Sequence, residues 1–301
     1  MRLLLLTTLL AACQTPAAPF VREFDGEAAR QYVARQLEFG PRIPGSPGHA
    51  AMATWLEAEA RARADDVVVQ RWTHRSAGGS ELPLVNVIAR FRPELTDRIL
   101  LLAHWDTRPV SDAPGSSDPT APMPGANDGG SGVAILLGVA DVLQRTPPGI
   151  GVDLLFVDGE DYGDFATDTD VLLGAKHYAA NLLPGGAPRF AILFDMVGHE
   201  NPRFEKEGNS VIAASAVVDK VWGVAADLGY QDIFVPQVGG AITDDHVPLQ
   251  RVGIPAINII EIYPHWHTPE DTLDKISAAT LQKVGDVATA VIRREARTPA
   301  R

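Results

Sequence analysis

Val152-Asp153-Leu154-Leu155-Phe156-Val157-Asp158-Gly159-Glu160-Asp161 is an apolar run of strand length that stops abruptly in a short acidic segment. A run with so few polar positions reads as a strand buried on both faces, as in a sheet covered by helices on either side. Ligands of open α/β sheets gather beyond the carboxyl ends of the strands, so Glu160 and Asp161 stand where such a site would form. Taken alone, the acidic end fits a solvated turn equally well. The neighbouring segments bear on the choice.

Upstream, Ile99 to Ala103 is a second buried strand, and it ends in His104-Trp105-Asp106. Downstream, Phe190 to Phe194 ends at Asp195, and Ile254 to Ile260 leads into Tyr263-Pro264-His265-Trp266-His267-Thr268. The long Pro- and Ser-rich stretch after His104 closes on Gly125-Ala126-Asn127-Asp128-Gly129-Gly130-Ser131-Gly132. Val133, Leu136, Leu137, Ala140 and Leu143 follow at helical spacing, so the glycines turn the chain tightly into a helix and carry Asp128 toward His104. Other helices begin at Asp25, at Ser46-Pro47, near Leu173, at Ser215 and at Ser277, each with an apolar stripe or a capping residue. Val67 to Trp72 and Leu84 to Phe91 read as a hairpin turning at Gly78-Gly79. Strands alternating with helices predict a single-domain three-layer α/β/α sandwich with a mostly parallel central sheet and an antiparallel edge hairpin.

The chain has 301 residues, 46% hydrophobic and 21% charged, ample for one large core. Its net charge of -12 and the lack of any Lys/Arg cluster argue against nucleic acid as a partner. No apolar run approaches the ~20 residues of a membrane-spanning helix. Arg2 followed by Leu3 to Leu6, Leu9 and Leu10 is short, positive and then apolar, as in secretory signals. Leu10-Ala11-Ala12-Cys13 resembles the lipobox of bacterial lipoproteins, which implies export, lipidation at Cys13 and anchoring on a bacterial membrane. Cys13 is the only cysteine, so no intramolecular disulfide can form. The expected organisation is a signal peptide over 1–13, a tether over 14–22, a catalytic domain over 23–296 and a tail over 297–301.

Collected at one sheet edge would be His104, Asp128, Glu160, Asp161, Asp195 and His267. Imidazole nitrogens with carboxylate oxygens suit zinc, and a carboxylate beyond the ligands supplies a base. His49, His74, His177 and His199 have no ligand-type neighbours at telling spacing and read as structural, with His246 and His265 as supporting or rim residues. From about residue 27 to 296 the chain resembles the zinc-dependent aminopeptidase family that also contains the animal-type glutaminyl cyclases. The resemblance rests on His104-Trp105-Asp106, Gly125-Ala126-Asn127-Asp128, Asp158-Gly159-Glu160-Asp161, Phe194-Asp195 and Trp266-His267-Thr268. It implies that Asp128, Asp161 and His267 hold one zinc, and that His104 and Asp195 are available for a second sharing Asp128. Glu160 is then the general base and acid, and Asp244 and Asp195 are counted with it as catalytic. Most members carry Glu-Glu where this chain has Glu160-Asp161, so one ligand arm is a methylene shorter.

Two activities fit that set. An aminopeptidase would use paired metals to hydrolyse amino-terminal residues. A glutaminyl cyclase would convert amino-terminal glutamine of peptides to pyroglutamate, releasing ammonia. Trp266 resembles the aromatic wall of cyclases, and Asp244-Asp245-His246-Val247-Pro248 resembles a cyclase segment whose first Asp joins a proton-handling network. Thr243 and Phe165 are the other expected substrate contacts, Phe165 standing in the loop where animal cyclases have a tryptophan. His104-Trp105-Asp106-Thr107-Arg108-Pro109 resembles the bacterial branch of that group. The peptidase-like Thr268-Pro269-Glu270-Asp271-Thr272 points the other way, and a lipid-anchored binding protein without catalysis is a third reading.

Overall fold

The computed structural model describes residues 21–296. The signal-like segment with Cys13, tether residues 14–20 and tail 297–301 lie outside the described residues. Helix α1 (Gly26–Leu37) starts where the Asp25 carboxylate accepts the Ala28 N–H. Helix α2 (Pro47–Arg63) starts where the Ser46 hydroxyl accepts the His49 N–H, with Pro47 at its first position. Strands β1 (Asp66–Arg75) and β2 (Glu81–Phe91) form the hairpin, each longer than its apolar run. Then come β3 (Arg98–His104), α3 (Gly130–Arg145), β4 (Gly151–Val157), α4 (Leu173–Ala180) and β5 (Ala191–Asp195). A short β6 (Phe204–Lys206) precedes α5 (Gly208–Asp227), followed by β7 (Phe234–Val238), α6 (His246–Arg251), β8 (Ala256–Ile260) and α7 (Ala278–Glu295).

The central sheet runs β1-β2-β4-β3-β5-β8. β4, β3, β5 and β8 are parallel, and β2 joins antiparallel to β4 with β1 on the outside, as the alternation of the sequence predicts. Strand residues alternate between two cores. Ile99, Leu101, Ala103, Leu154, Phe156, Ile192 and Phe194 face the larger core beneath α1, α2, α3, α5 and α7. Leu100, Leu102, Leu155, Val157, Ala191 and Leu193 face the smaller one, closed by Ala175 and Tyr178 of α4 and Leu249 of α6. Asp153, the polar residue within the apolar β4, is buried against the guanidinium of Arg98 at 2.7 Å and that of Arg90 at 3.1 Å. A buried carboxylate persists there because it is paired.

Register levels the strand ends. His104 stands opposite Val157, and Leu102 stands opposite both Leu155 and Leu193. His104, the acidic loop after β4 and Asp195 therefore emerge at one edge. Two helices depart from expectation. Helix α6 has six residues and lies within a segment read without one. Helix α5 begins at Gly208, where Glu207 accepts the Asn209 and Ser210 N–H groups, seven residues before the predicted cap at Ser215. The backbone breaks from helical geometry at Ala214, so Ser215 starts only the second segment of a kinked helix. Strands β6 and β7, which pair with each other, leave no apolar period in the sequence, β6 because it has three residues and β7 because it carries a proline and ends in exposed positions.

Candidate active site and metal centre

Two groups of metal-type side chains share Asp128: His104, Asp128 and Asp195, and Asp128, Asp161 and His267. His104 Nε2 lies 3.1 Å from Asp128 Oδ1 and 3.2 Å from Asp195 Oδ1. His267 Nε2 lies 3.7 Å from Asp128 Oδ2 and 3.4 Å from Asp161 Oδ1. Asp128 thus turns one oxygen toward each histidine, as a bridging carboxylate does. Glu160 stands beside this set without belonging to either triplet, its Oε2 3.8 Å from His104 Nδ1.

Backbone geometry places these groups. Gly129 has φ +78°, and a Cβ there would stand 3.0 Å from both the Asp106 carbonyl and His104 Cε1, so only glycine lets α3 start against His104. Three residues on, a Cβ at Gly132 would meet the Phe194 carbonyl oxygen at 2.1 Å, which is how closely α3 lies on β5 next to Asp195. His267 itself has φ +50°, left-handed backbone that a non-glycine residue adopts at a cost of about 1–3 kcal/mol.

The ligand types are all buried, and burial with like charge sets their protonation. Glu160 is pushed well above the usual carboxylate range by burial and by Asp161, Asp244 and Asp245. Burial and Asp195 raise Asp244 to about 7. Asp161 and Asp195 also rise, chiefly through burial. Burial opposes the charged forms of Asp128 and His104, yet their mutual attraction and neighbours hold Asp128 low and His104 high. Asp161 Oδ2 is buried with no hydrogen bond to the protein. A buried carboxylate oxygen without a proton donor, beside two imidazoles and further carboxylates, fits a divalent cation and specifically the donor preferences of zinc.

Residues 86–292 match the sequence profile of Peptidase family M28. The chain belongs to that family. It is 31% identical over 207 residues to aminopeptidase YwaD of Bacillus subtilis, covering 65% of this chain and 40% of that protein. The chain therefore spans less than half the length of this curated relative. The structure of the glutaminyl cyclase of Porphyromonas gingivalis is 39% identical with a TM-score of 0.87, covering 91% of this chain and 99% of that one. A Zn-dependent exopeptidase from Parabacteroides distasonis is also 39% identical, with a TM-score of 0.86 and coverage of 90% and 98%. The chain is thus an M28 family member with zinc-type ligand residues, and its neighbours include both cyclases and exopeptidases.

Around this M28 centre a cleft of about 550 Å³ opens, lined by Asp128, Glu160, Asp161, Asp195, Thr243, Asp244, Phe165, Trp266 and His267. Every site residue read from the sequence within the described range meets there except His104, which is fully buried behind the ligands. Trp266 is half-buried, stacks on His267 at 3.9 Å and 25°, and packs against the cluster of Met196, Ile260 and Tyr263.

The residues that hold this M28 site were not assigned roles from the sequence. Asp106, fully buried, accepts the Glu160 N–H at 3.0 Å and the Asp161 N–H at 3.2 Å. Asp271 accepts the N–H groups of Asn127 at 2.8 Å and Asp128 at 3.1 Å, and burial beside Asp128 raises it to about 7. Arg42 is wholly buried and donates to the carbonyls of Trp105, Pro124 and Gly125, fastening the His104 and Asp128 loops together. His49, read as ordinary, is buried between a stacked Trp105 and the Asp158 carboxylate at 2.9 Å. His246 is buried and bonded at 3.1 Å to Glu207, the residue that caps α5. Asp106 and Asp271 stand inside motifs already quoted, and an acid two residues after His104 or four after His267 was the available signal.

Proposed function

We propose that this M28 chain is a zinc-dependent glutaminyl-peptide cyclotransferase acting on peptide or protein amino termini. The observation that carries the reading is Trp266, whose ring lies on the cleft wall against ligand His267, with Phe165 lining the same cleft. Such a wall suits the flat amide and methylenes of a glutamine side chain. Asp128, Asp161 and His267 would hold one zinc, with His104 and Asp195 completing a second position. When bound, the metal polarises the side-chain amide carbonyl.

The chain's own groups handle the protons. Glu160 takes a proton from the α-amine as its nitrogen forms a bond to Cδ of the glutamine, and returns one to the departing nitrogen as the old Cδ–N bond breaks and ammonia leaves. A base held above the carboxylate range by burial can retain that proton between the two steps. After burial, Asp161, Asp244 and Asp245 are what keep it there, and Asp195 in turn raises Asp244, which accepts a hydrogen bond from Asn258 at 2.6 Å. Because the attack is intramolecular, the cleft contributes mainly orientation.

A second reading, a dinuclear aminopeptidase, is favoured by the two complete ligand triplets sharing Asp128. The test offers zinc-loaded protein a peptide beginning with glutamine, followed by mass spectrometry, beside a leucine amide chromogenic substrate. Loss of one ammonia from the peptide, abolished in Glu160→Gln and without leucine release, supports the cyclase. Leucine release without cyclisation refutes it, and inactivity on both with zinc bound favours a binding protein. The proposal includes export and lipid anchoring at Cys13, which labelled fatty-acid incorporation in cells, compared with Cys13→Ala, would test.

A further inference from the structure

Arg108 and Asp112 lie in the loop after β3, outside both ligand triplets. The guanidinium of Arg108 is largely buried and donates through one nitrogen to Asp161 Oδ1 at 2.9 Å and to the Gly163 carbonyl at 3.1 Å. Its other edge makes a two-pronged contact with Asp112, at 2.7 Å to Oδ1 and 2.6 Å to Oδ2. Asp112 Oδ1 in turn pairs with His267 Nδ1 at 3.1 Å, on the ring edge away from Asp128 and Asp161. The backbone repeats the connection, since the Ala113 N–H donates to the His267 carbonyl at 3.1 Å.

We infer that Arg108 and Asp112 are positioning residues that act as one unit, fixing Asp161 and His267 together so that this half of the metal centre is assembled before the ion arrives. Asp161 is a short arm on a loop, and a guanidinium nitrogen that binds its Oδ1, itself held by the fork on Asp112, sets the direction of Oδ2, which is buried without a hydrogen bond. His267 could present either ring nitrogen to the site, and a carboxylate on Nδ1 places the proton there and leaves Nε2 free to coordinate. One guanidinium thus governs both ligands, directly and through Asp112. Among the described contacts, neither residue touches His104 or Asp195, so the pair bears on the other half of the centre through the shared Asp128. The inference rests on Asp161 and His267 being ligands, and holds for a cyclase or an aminopeptidase alike.

The test compares Asp112→Ala, Arg108→Lys and the double variant in the purified chain, with His267→Ala as control. Zinc content after dialysis and zinc affinity by chelator competition are read beside urea unfolding of the metal-free proteins. Arg108→Lys keeps the charge and loses the fork, which separates orientation from electrostatics. Each single variant should weaken the ion held by His267 by about 10–100-fold, the usual consequence of removing a partner that orients a ligand. The double variant should be no worse than the poorer single one, because the two residues serve one function. Affinities within about threefold of the parent in both singles, with His267→Ala impaired, overturn the inference. So does a lowered urea midpoint with unchanged zinc affinity, which would make the pair structural only. An unaffected His267→Ala refutes the ligand assignment itself. Asp112 is about two-fifths exposed on its loop, so its alanine variant keeps the test valid if Arg108→Lys fails to fold.

Discussion

Asp106→Asn tests whether the acidic loop is held from beneath. In the parent, the two carboxylate oxygens of Asp106 accept the consecutive N–H groups of Glu160 and Asp161 at 3.0 and 3.2 Å, at a site with no solvent exposure. Asparagine keeps one acceptor and turns an NH2 against the other N–H, leaving a buried donor unsatisfied at about 1–3 kcal/mol. Removing a negative charge from beside Asp158 and Asp245, both of which it pushes upward, offsets part of that cost. The expected net loss of stability is therefore modest, about 1–2 kcal/mol by urea unfolding. The catalytic effect should be larger, because the same two N–H groups position the base and a ligand. A shift of about 1 Å there costs roughly 10²-fold in kcat. Steady-state kinetics on whichever substrate the enzyme turns over, with zinc content measured in parallel, gives the comparison. A kcat within threefold of the parent at full zinc occupancy would refute the reasoning.

Trp266→Ala should lower kcat/KM for a glutamine peptide by about 10–100-fold, the equivalent of the ~1.5–3 kcal/mol of apolar contact an aromatic wall supplies, with zinc content retained. Equal kcat/KM in steady-state assays would reduce the ring to packing. Gly132→Ala drives a methyl to 2.1 Å from the Phe194 carbonyl and should cost about 3 kcal/mol or more in urea unfolding; a change below about 1 kcal/mol would mean α3 can lift off β5 freely. Asp244 and Asp271 are each raised to about 7, so between about pH 4 and pH 7 the folded state keeps protons that the unfolded chain has lost. Stability of the metal-free protein should therefore fall as pH rises through that window, with zinc flattening the slope; urea midpoints rising from pH 5 to 7 without zinc would contradict the assignment.

The parts of the molecule legible in the sequence are those where one period or one strand end carries the information. Leu100 and Leu101 point to opposite cores, so an unbroken apolar run announced a doubly covered strand. His104 and Asp195 are the last residues of their strands, and register alone brings them level. Asp112 pairs with a histidine 155 positions away, and Asp271 with two amides more than 140 positions away; no local pattern encodes either contact. Arg42 sits in a Gly-Pro-rich turn with no local pattern to mark it, and it is wholly buried because three backbone carbonyls accept its N–H groups. The kink at Ala214 was visible only as a misplaced start, since Ser215 is a credible cap for the second segment and conceals the first.

What the missed residues share explains why the site can exist. Asp128, Glu160, Asp161, Asp195, Asp244 and Asp245 are all buried within one sheet edge, and burial raises most of them toward neutrality. A set of carboxylates that simply protonated would donate hydrogen bonds to one another and lose its function as a ligand cage. Here the groups beside the cage are committed elsewhere: Asp106 and Asp271 accept from backbone N–H groups, and Arg42 donates to carbonyls. Arg108 reaches a ligand carboxylate, and it takes one oxygen of Asp161 and leaves the other without a donor. Without an ion, the charge of the cage is balanced by its own imidazoles, His104 and His267, both of which, against the opposing effect of burial, the surrounding carboxylates hold above the usual histidine range. A divalent ion that takes over this balance leaves Glu160, beside the cage, to move a proton.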